Sequence, residues 1–291
     1  MSQIVYLNGQ FLPMSQAYVP VLDRGFIFGD GAYEVIPVYS GHPFRLREHL
    51  QRLANSLASL QLTNLYSLDE WEKLVLELVK RNPPAKDNEF QDQSLYLHIT
   101  RGVAPRDQAF PKGVRPTVFM MSNPLLTPSK QQCEQGVAAI STVDNRWDRC
   151  DIKAISLLAN VLLRQKAVEA GAIESVLFRD GILTEGAASN IFAVEKGVIL
   201  APPKDNHLLP GITYDLILEL AAANAIPVEI GYFTEARIRA ADELWISSSS
   251  KEILAITSLD GKFIANGKPG RLFHRMYSLY QDYKNNVMRS M

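Results

Sequence analysis

The sequence is poor in the residues that mark several large classes of protein. Its 291 residues include two cysteines, Cys133 and Cys150, and neither has a CxxC partner, so a disulfide framework is excluded. The five histidines are scattered without metal-ligand spacing, and we expect no metal site. The formal net charge is −1 and no block of like charge stands out, so we expect no nucleic-acid partner.

Long apolar runs are also missing. No stretch reaches the roughly 18 apolar residues that a membrane-spanning helix needs. The opening residues lack the basic and apolar segments of a signal peptide, so we expect a cytoplasmic protein that does not contact a membrane. Two common enzyme motifs, Gly-x-Gly-x-x-Gly after a strand and Gly-x-Ser-x-Gly, do not occur.

The chain does contain clear helical patterns, and its hydrophobic content of 47% is enough for one large core or two ordinary ones. One set of leucines recurs at steps of four and three, which predicts a helix with a single apolar face. These leucines are Leu46, Leu50, Leu53, Leu57 and Leu60. Ser67 and Glu70 form a capping box that opens a second helix.

Strand patterns alternate with these helices along the whole chain. We predict strands at 33–39, 94–100 and 117–122 in the first half, and near 136–143, 174–179, 189–202 and 243–248 in the second. Helices are predicted near 157–171, from Gly211 and from Arg271. This mixture predicts an α/β (α+β) fold with two domains, 1–122 and 131–291, joined by a polar, proline-punctuated linker at 123–130.

Lys153 is the residue around which the candidate chemistry is organised. It ends an extended stretch just before a long amphipathic helix. A lone lysine is ordinarily a solvated surface charge. An enzyme that uses pyridoxal phosphate, however, needs a lysine for the aldehyde, an acid near the pyridine nitrogen, a cradle for the phosphate and a cation for the substrate carboxylate. The sequence offers candidates for all four.

Each remaining candidate also has a plainer interpretation. Glu185 is the candidate acid, but it could be a turn glutamate that caps a hairpin. Gly211, Ile212 and Thr213 open a helix whose free N–H groups suit a phosphate, but most such caps bind nothing. Ser248 and Ser249 could add donors or form an ordinary loop. The loop arginines Arg101, Arg106 and Arg115 could grip a carboxylate or remain solvated.

Taken together, these residues resemble the class IV pyridoxal-phosphate aminotransferases. The segments that carry the resemblance are residues 23–31, 147–153, 183–190 and 209–213. The resemblance extends over essentially the whole chain. It implies a two-domain fold of the D-amino acid aminotransferase type and pyridoxal 5'-phosphate as the cofactor.

The resemblance also implies a role for each candidate. Lys153 would bind the cofactor covalently and move the proton, Glu185 would pair with the pyridine nitrogen, and Leu209 would pack beneath the ring. The residues implied to hold the phosphate are Arg52, Ile212, Thr213 and Ser249, and Gly211 and Ser248 are further candidate cofactor-binding residues. The active unit would be a homodimer, with the 101–113 loop reaching across from the partner.

Within the family the sequence is most similar to the D-amino acid aminotransferases. That group binds the substrate α-carboxylate with a tyrosine, an arginine and a histidine. Tyr33 and Arg106 match the first two positions, but Gln108 occupies the third and cannot carry a positive charge. Ala187 and Ala188 also replace hydroxyl residues near the expected ring.

The resemblance therefore implies transamination of D-amino acids such as D-alanine with 2-oxoglutarate. Two alternatives stay open at the level of sequence. One is aminodeoxychorismate lyase of the 4-aminobenzoate branch, which uses the same lysine and cofactor. The other is a branched-chain L-amino acid aminotransferase. A carrier of the cofactor without catalysis is a further class, although simple binding needs no acid beside the ring.

Overall fold

The structure is a computed structural model that describes residues 3–84 and 92–290. The chain forms two compact units. The first contains the described residues up to Leu125 together with Ile152–Leu157 and residues 287–290, and the second contains Leu126–Asp151 and Leu158–Asn286. The predicted domains 1–122 and 131–291 and the linker 123–130 stay a prediction, and residues 1, 2, 85–91 and 291 of those ranges lie outside the described residues.

Within the described part of the first unit, six strands form one antiparallel sheet. The strands are β1 (Ile4–Leu7), β2 (Gln10–Pro13), β3 (Gly31–Tyr39), β4 (His42–Pro43), β5 (Gln93–Thr100) and β6 (Thr117–Pro124). Their order across the sheet is β2-β1-β6-β5-β3-β4. Strand β3 pairs with β5 along eight positions, from Gly31 opposite Thr100 to Val38 opposite Gln93.

Helices cover one face of this sheet. The helices of the first unit are α1 (Arg24–Phe28), α2 (Leu46–Ser59) and α3 (Leu68–Arg81). The predicted leucine face of α2 is confirmed, since Leu50, Leu53 and Leu57 are buried against the sheet. The predicted capping box of Ser67 and Glu70 at the start of α3 is also confirmed.

The second unit contains a larger mixed sheet, with nine strands among its described residues. They are β7 (Val137–Val143), β8 (Glu174–Arg179), β9 (Ile182–Gly186), β10 (Asn190–Glu195), β11 (Val198–Ala201), β12 (Val228–Ile230), β13 (Glu243–Ser248), β14 (Glu252–Leu259) and β15 (Lys262–Phe263). Eight of them follow the order β12-β11-β10-β13-β14-β7-β8-β9, and β15 pairs with β14. The parallel pairs are β7 with β8, β7 with β14, and β11 with β12.

Five α-helices are described in this unit. The helices are α4 (Lys130–Gln135), α5 (Leu158–Glu169), α6 (Ile212–Ala223), α7 (Glu235–Arg239) and α8 (Arg271–Tyr283). Helix α5 follows the Lys153 segment, and α6 begins directly after Gly211, as predicted. The sequence did not predict strand β9, which carries Glu185.

Two findings apply to the described residues alone. No helix in these ranges is long and apolar enough to cross a membrane. Across the same ranges, no group of three or more His, Cys, Asp or Glu side chains is placed to hold a metal ion.

Candidate active site

Lys153 lies beside the edge of β3 in the first unit. Its carbonyl oxygen accepts a hydrogen bond from Tyr33 N at 3.0 Å, and its own N–H donates to Ser56 Oγ of α2 at 3.2 Å. The ammonium group of Lys153 lies 4.2 Å from the centre of the Tyr33 ring. The backbone is thus fixed on two sides, and the π face of Tyr33 lies next to the amine.

Glu185 lies in strand β9 of the second unit and is buried. Three donors surround its carboxylate. Arg146 Nη1 donates to Oε1 at 2.5 Å, while Asn190 Nδ2 and Leu209 N donate to Oε2 at 3.1 and 3.2 Å. A turn glutamate that only caps a hairpin, the plainer interpretation, would not need a buried strand position with three directed donors.

Arg146 is shared between two carboxylates. Its Nε and Nη2 atoms donate to the two oxygens of Asp144 at 2.9 and 2.8 Å, which is a bidentate pair, while Nη1 serves Glu185. Thr184 also donates to Asp144, at 2.9 Å. All four side chains are buried. Arg179 Nη2 also lies 3.4 Å from Asp144 Oδ1, so Asp144 is paired with two guanidinium groups, while Glu185 shares Arg146 with it.

The pKa values of the two carboxyl groups are driven apart by this sharing. Burial raises the pKa of Asp144, but the hydrogen bonds and charge of Arg146 outweigh it and lower that pKa to about 2. Burial raises the pKa of Glu185 to about 7, against the opposing charge and hydrogen bond of Arg146. Asp144 adds to this rise through its own negative charge. Glu185 is therefore the carboxyl group whose ionised form would be stabilised by a further positive charge nearby.

The start of helix α6 lies next to this carboxylate. Asn190 Nδ2, which donates to Glu185, also donates to Leu209 O at 3.0 Å, so it ties the turn before α6 to Glu185. A Cβ at Gly211 would lie 2.1 Å from Asn190 Oδ1, so a larger residue here would displace the side chain that donates to Glu185. No side chain caps α6, which leaves its first N–H groups available to an anion.

Four more predicted phosphate ligands lie in the second unit. Ile212 and Thr213 are buried in the first turn of α6. Ser248 ends β13, and its hydroxyl accepts a hydrogen bond from Lys251 N at 3.0 Å, which leaves its proton to donate elsewhere. Ser249 follows in the turn between β13 and β14.

The predicted phosphate arginine, Arg52, is on α2 of the first unit and is buried. Its Nε and Nη2 atoms form a bidentate pair with Glu34 of β3 at 2.7 and 2.8 Å. His49 adds a bond of 2.8 Å to the same carboxylate. Burial pushes the pKa of Glu34 upward, but Arg52 and His49 outweigh it and hold that pKa well below its usual range. The guanidinium is therefore held rigidly.

The predicted substrate residues lie in the first unit, and a buried arginine arranges the loop that carries two of them. Arg24 donates to the carbonyl oxygens of Asp107 and Gln108. Arg106 is exposed, with its guanidinium 5.6 Å from the centre of the Phe28 ring. Arg101, another arginine considered for carboxylate binding, donates to Asp30 and to two backbone carbonyls. These bonds make it a structural residue.

Sequence reasoning missed Asp144, Arg146 and the pair formed by Glu34 and His49. The alternation Asp144-x-Arg146 shortly before Lys153 was the available signal for the first two. For the others the signal was weaker, since Glu34 lies in the expected strand and His49 lies one turn before Arg52.

The family is decided by comparison with known proteins. The sequence profile described as amino-transferase class IV matches residues 31–259. The chain belongs to the class IV aminotransferases. Two relatives named D-alanine aminotransferase support this, one from Bacillus licheniformis and one from Staphylococcus epidermidis. They are 39% and 38% identical to this chain, and each match covers 96% of the chain and 96% or 97% of the relative.

A solved structure supports the same family assignment. The branched-chain amino acid aminotransferase of Escherichia coli superposes with a TM-score of 0.88 at 25% identity, covering 99% of this chain and 95% of that one. The predicted α/β fold of the class IV aminotransferase type is therefore confirmed, as is the prediction of an enzyme.

This class IV aminotransferase uses pyridoxal 5'-phosphate, which confirms the predicted cofactor. When bound, the cofactor supplies the electron sink for transamination. The residues of each unit fit it. The second unit has a buried carboxylate with a raised pKa and a helix start without a side-chain cap, and the first has a rigidly held arginine and a lysine fixed by its backbone.

Proposed function

We propose that this enzyme transfers the amino group of D-amino acids, D-alanine among them, to a 2-oxo acid such as 2-oxoglutarate. The observation that carries the proposal is full-length similarity, at 36–39% identity, to several relatives named D-alanine aminotransferase. The buried Glu185 supports a catalytic role, because a protein that only carried the cofactor would not need an acid of this kind.

We also propose the division of labour among the candidate residues. Lys153 binds the cofactor and takes and returns the proton that moves during the reaction. Glu185 keeps the pyridine nitrogen protonated, and Arg146 with Asn190 orients its carboxylate. Leu209 would contact the ring of the bound cofactor.

The phosphate is assigned to five residues and the substrate carboxylate to three. Support for the first set is the open start of α6 and the rigid guanidinium of Arg52. The phosphate set is Arg52, Ile212, Thr213, Ser248 and Ser249, with Gly211 leaving room. The carboxylate set is Tyr33, Arg106 and Gln108.

The proposed assembly is a homodimer in the cytoplasm. Support comes from helix α5, whose apolar side chains Leu158, Val161 and Leu162 are 72%, 58% and 57% exposed in the single chain. An apolar surface of this kind on one helix is typical of a protein interface. Sedimentation at two protein concentrations would give the mass of two chains, and a single-chain mass would contradict the proposal.

A half-reaction decides the substrate. The purified protein with bound cofactor is mixed with D-alanine in one cuvette and L-leucine in another, and the visible absorption of the cofactor is followed. We expect loss of this absorption with D-alanine alone. Lys153→Ala should abolish this loss of absorption, because the reaction requires the nucleophilic lysine. Replacement of the exposed Lys166 by alanine is the control and should leave the rate unchanged.

Each contrary outcome indicates another function. A response to L-leucine alone would indicate a branched-chain L-amino acid aminotransferase. A protein that binds the cofactor and responds to neither amino acid would point to aminodeoxychorismate lyase, and complementation of a 4-aminobenzoate auxotroph would then test that activity.

A further inference from the structure

The sheet of the first unit has a second face that is not covered by α2 and α3. Alternate residues of β3, β5 and β6 form the core, among them Ala32, Leu97 and Val118. The side chains between them lie on the opposite face and are partly buried. They are Tyr33, Val35, Tyr96, His98, Phe119 and Met121. The amine of Lys153 lies over Tyr33, so this second face is next to the reactive lysine.

His98 is the imidazole of this face, and it lies directly beside Tyr33. The two residues are cross-strand partners in the pair of β3 with β5. Directly opposed residues of an antiparallel pair have Cβ atoms about 5 Å apart on the same side of the sheet. A group bound by the hydroxyl of Tyr33 is therefore within reach of the His98 ring.

Tyr96 fixes the orientation of the His98 ring. Its hydroxyl lies 2.8 Å from His98 Nδ1, and the two rings meet edge to face with their centres 5.7 Å apart. Burial raises the pKa of Tyr96 to about 12, so the phenol keeps its proton. Burial also lowers the pKa of His98, against the charge of Asp23, so the ring is neutral at pH 7. A phenol donates to a neutral imidazole more readily than the reverse, which places the ring proton on Nε2.

We propose that His98 is a substrate-binding residue whose Nε2–H donates a hydrogen bond to the substrate carboxylate beside Tyr33. This inference rests on the proposed function, in which Tyr33 contacts that carboxylate. It also accounts for Gln108, which has no imidazole and is exposed in a loop held by Arg24. The imidazole is then supplied from within the sheet, at a position that is rigid because β5 is paired on both sides.

The test separates carboxylate binding from a merely structural role. The half-reaction is measured with D-alanine and with D-alaninol, which has the same amine and a hydroxymethyl group in place of the carboxylate. For His98→Ala we expect the half-saturating concentration of D-alanine to rise at least about tenfold, because a hydrogen bond to a charged group is lost. The limiting rate with D-alanine should stay within about twofold of the wild-type value. The half-saturating concentration of D-alaninol should also stay within about twofold of the wild-type value.

Two further variants serve as controls. His98→Gln keeps one N–H donor and should recover most of the D-alanine affinity. His274→Ala removes an exposed histidine of the second unit and should change nothing. An equal loss for D-alanine and D-alaninol in His98→Ala, or no loss for either, would overturn the proposal.

A second measurement keeps this test independent of D-amino acid specificity. Propionate, a carboxylate without an amine, is titrated into the enzyme with bound cofactor while the ring nitrogens of His98 are followed by NMR. We expect a proton on Nε2 and a shift of its signal on binding, together with weaker propionate binding in His98→Ala. An unperturbed ring at saturating propionate refutes the role of His98, whereas a wild-type enzyme that does not react with D-alanine refutes only the proposed function.

Discussion

The two units of this enzyme each bury a carboxylate against an arginine, and the outcomes are opposite. In the first unit, Arg52 gives two hydrogen bonds to the single carboxylate of Glu34. In the second, Arg146 divides its donors between two carboxylates, with two hydrogen bonds to Asp144 and one to Glu185. The undivided pair holds a side chain in place, while the divided one leaves Glu185 with a raised pKa in a buried site that suits a cation such as a protonated ring nitrogen.

The largest expected effect comes from a substitution in the group that Arg146 forms with Asp144 and Glu185. Glu185→Gln removes the charge that holds the proton on the cofactor nitrogen, so turnover should fall by about two orders of magnitude or more. At pH 4.5, where the folded chain holds Glu185 protonated, the stability of the cofactor-free protein should change by less than about 1 kcal/mol, since Arg146 keeps its bidentate partner Asp144. Initial rates and chemical unfolding measure the two effects. Unchanged turnover would refute the assigned role of Glu185.

The matched substitution in the first unit should have the reverse profile. Glu34→Gln leaves Arg52 buried without a full counter-charge, so the free energy of unfolding should fall by about 3–5 kcal/mol. Urea unfolding of the cofactor-free protein measures it. If Glu34→Gln and Glu185→Gln destabilised the protein equally, the contrast between the undivided pair of Arg52 and Glu34 and the divided donors of Arg146 would be wrong.

A smaller effect is a pH dependence of stability that belongs to Glu185. Its pKa rises from an ordinary value of 4.5 to about 7 on folding, so between these values the folded chain holds a proton that the unfolded chain has lost. Its contribution to stability is therefore complete below pH 4.5 and is lost as the pH rises through 7, at up to about 1.4 kcal/mol per pH unit. The difference in unfolding free energy between wild type and Glu185→Gln, measured from pH 4.5 to 8 without cofactor, isolates this slope.

The smallest expected effect is a shift, along the pH axis, of the range in which stability depends on Glu185. Asp144→Asn removes a negative neighbour that raises the pKa of Glu185 and leaves the charge of Arg146 to Glu185 alone. The pKa of Glu185 should fall, and the loss of stability should move to lower pH. Carboxyl NMR signals of the cofactor-free variant would show this directly. An upward movement would mean that Asp144 acts on Glu185 only through the position of Arg146.

Local patterns predicted the parts of the fold that local physics determines. The leucine spacing of α2, the capping box of Ser67 and the helix after Gly211 depend on neighbours within one or two turns. Strand β9 was missed because Ile182–Gly186 has no clear alternation, and its pairing with β8 makes it a strand.

The candidate site divides in the same way. Lys153, Glu185 and the turn before Thr213 were found because short motifs surround them. The partnership of Arg146 with Glu185 joins residues 39 positions apart, and the place of His98 beside Tyr33 depends on strand register. Sequence patterns carry little information about either, because buried charge pairs and registers are set by tertiary contacts.

The Lys153 segment has a consequence for how the protein is made. The first unit lacks a closed edge until residues 152–157 arrive, since Tyr33 N and Gly31 O find their partners in Lys153 and Ile155. A nascent chain that has left the ribosome only as far as residue 125 therefore has an unpaired edge on β3, and such an edge is a site for aggregation. Synthesis must therefore continue through residues 126–157 before this edge is closed, so the first unit is completed only after part of the second has been made.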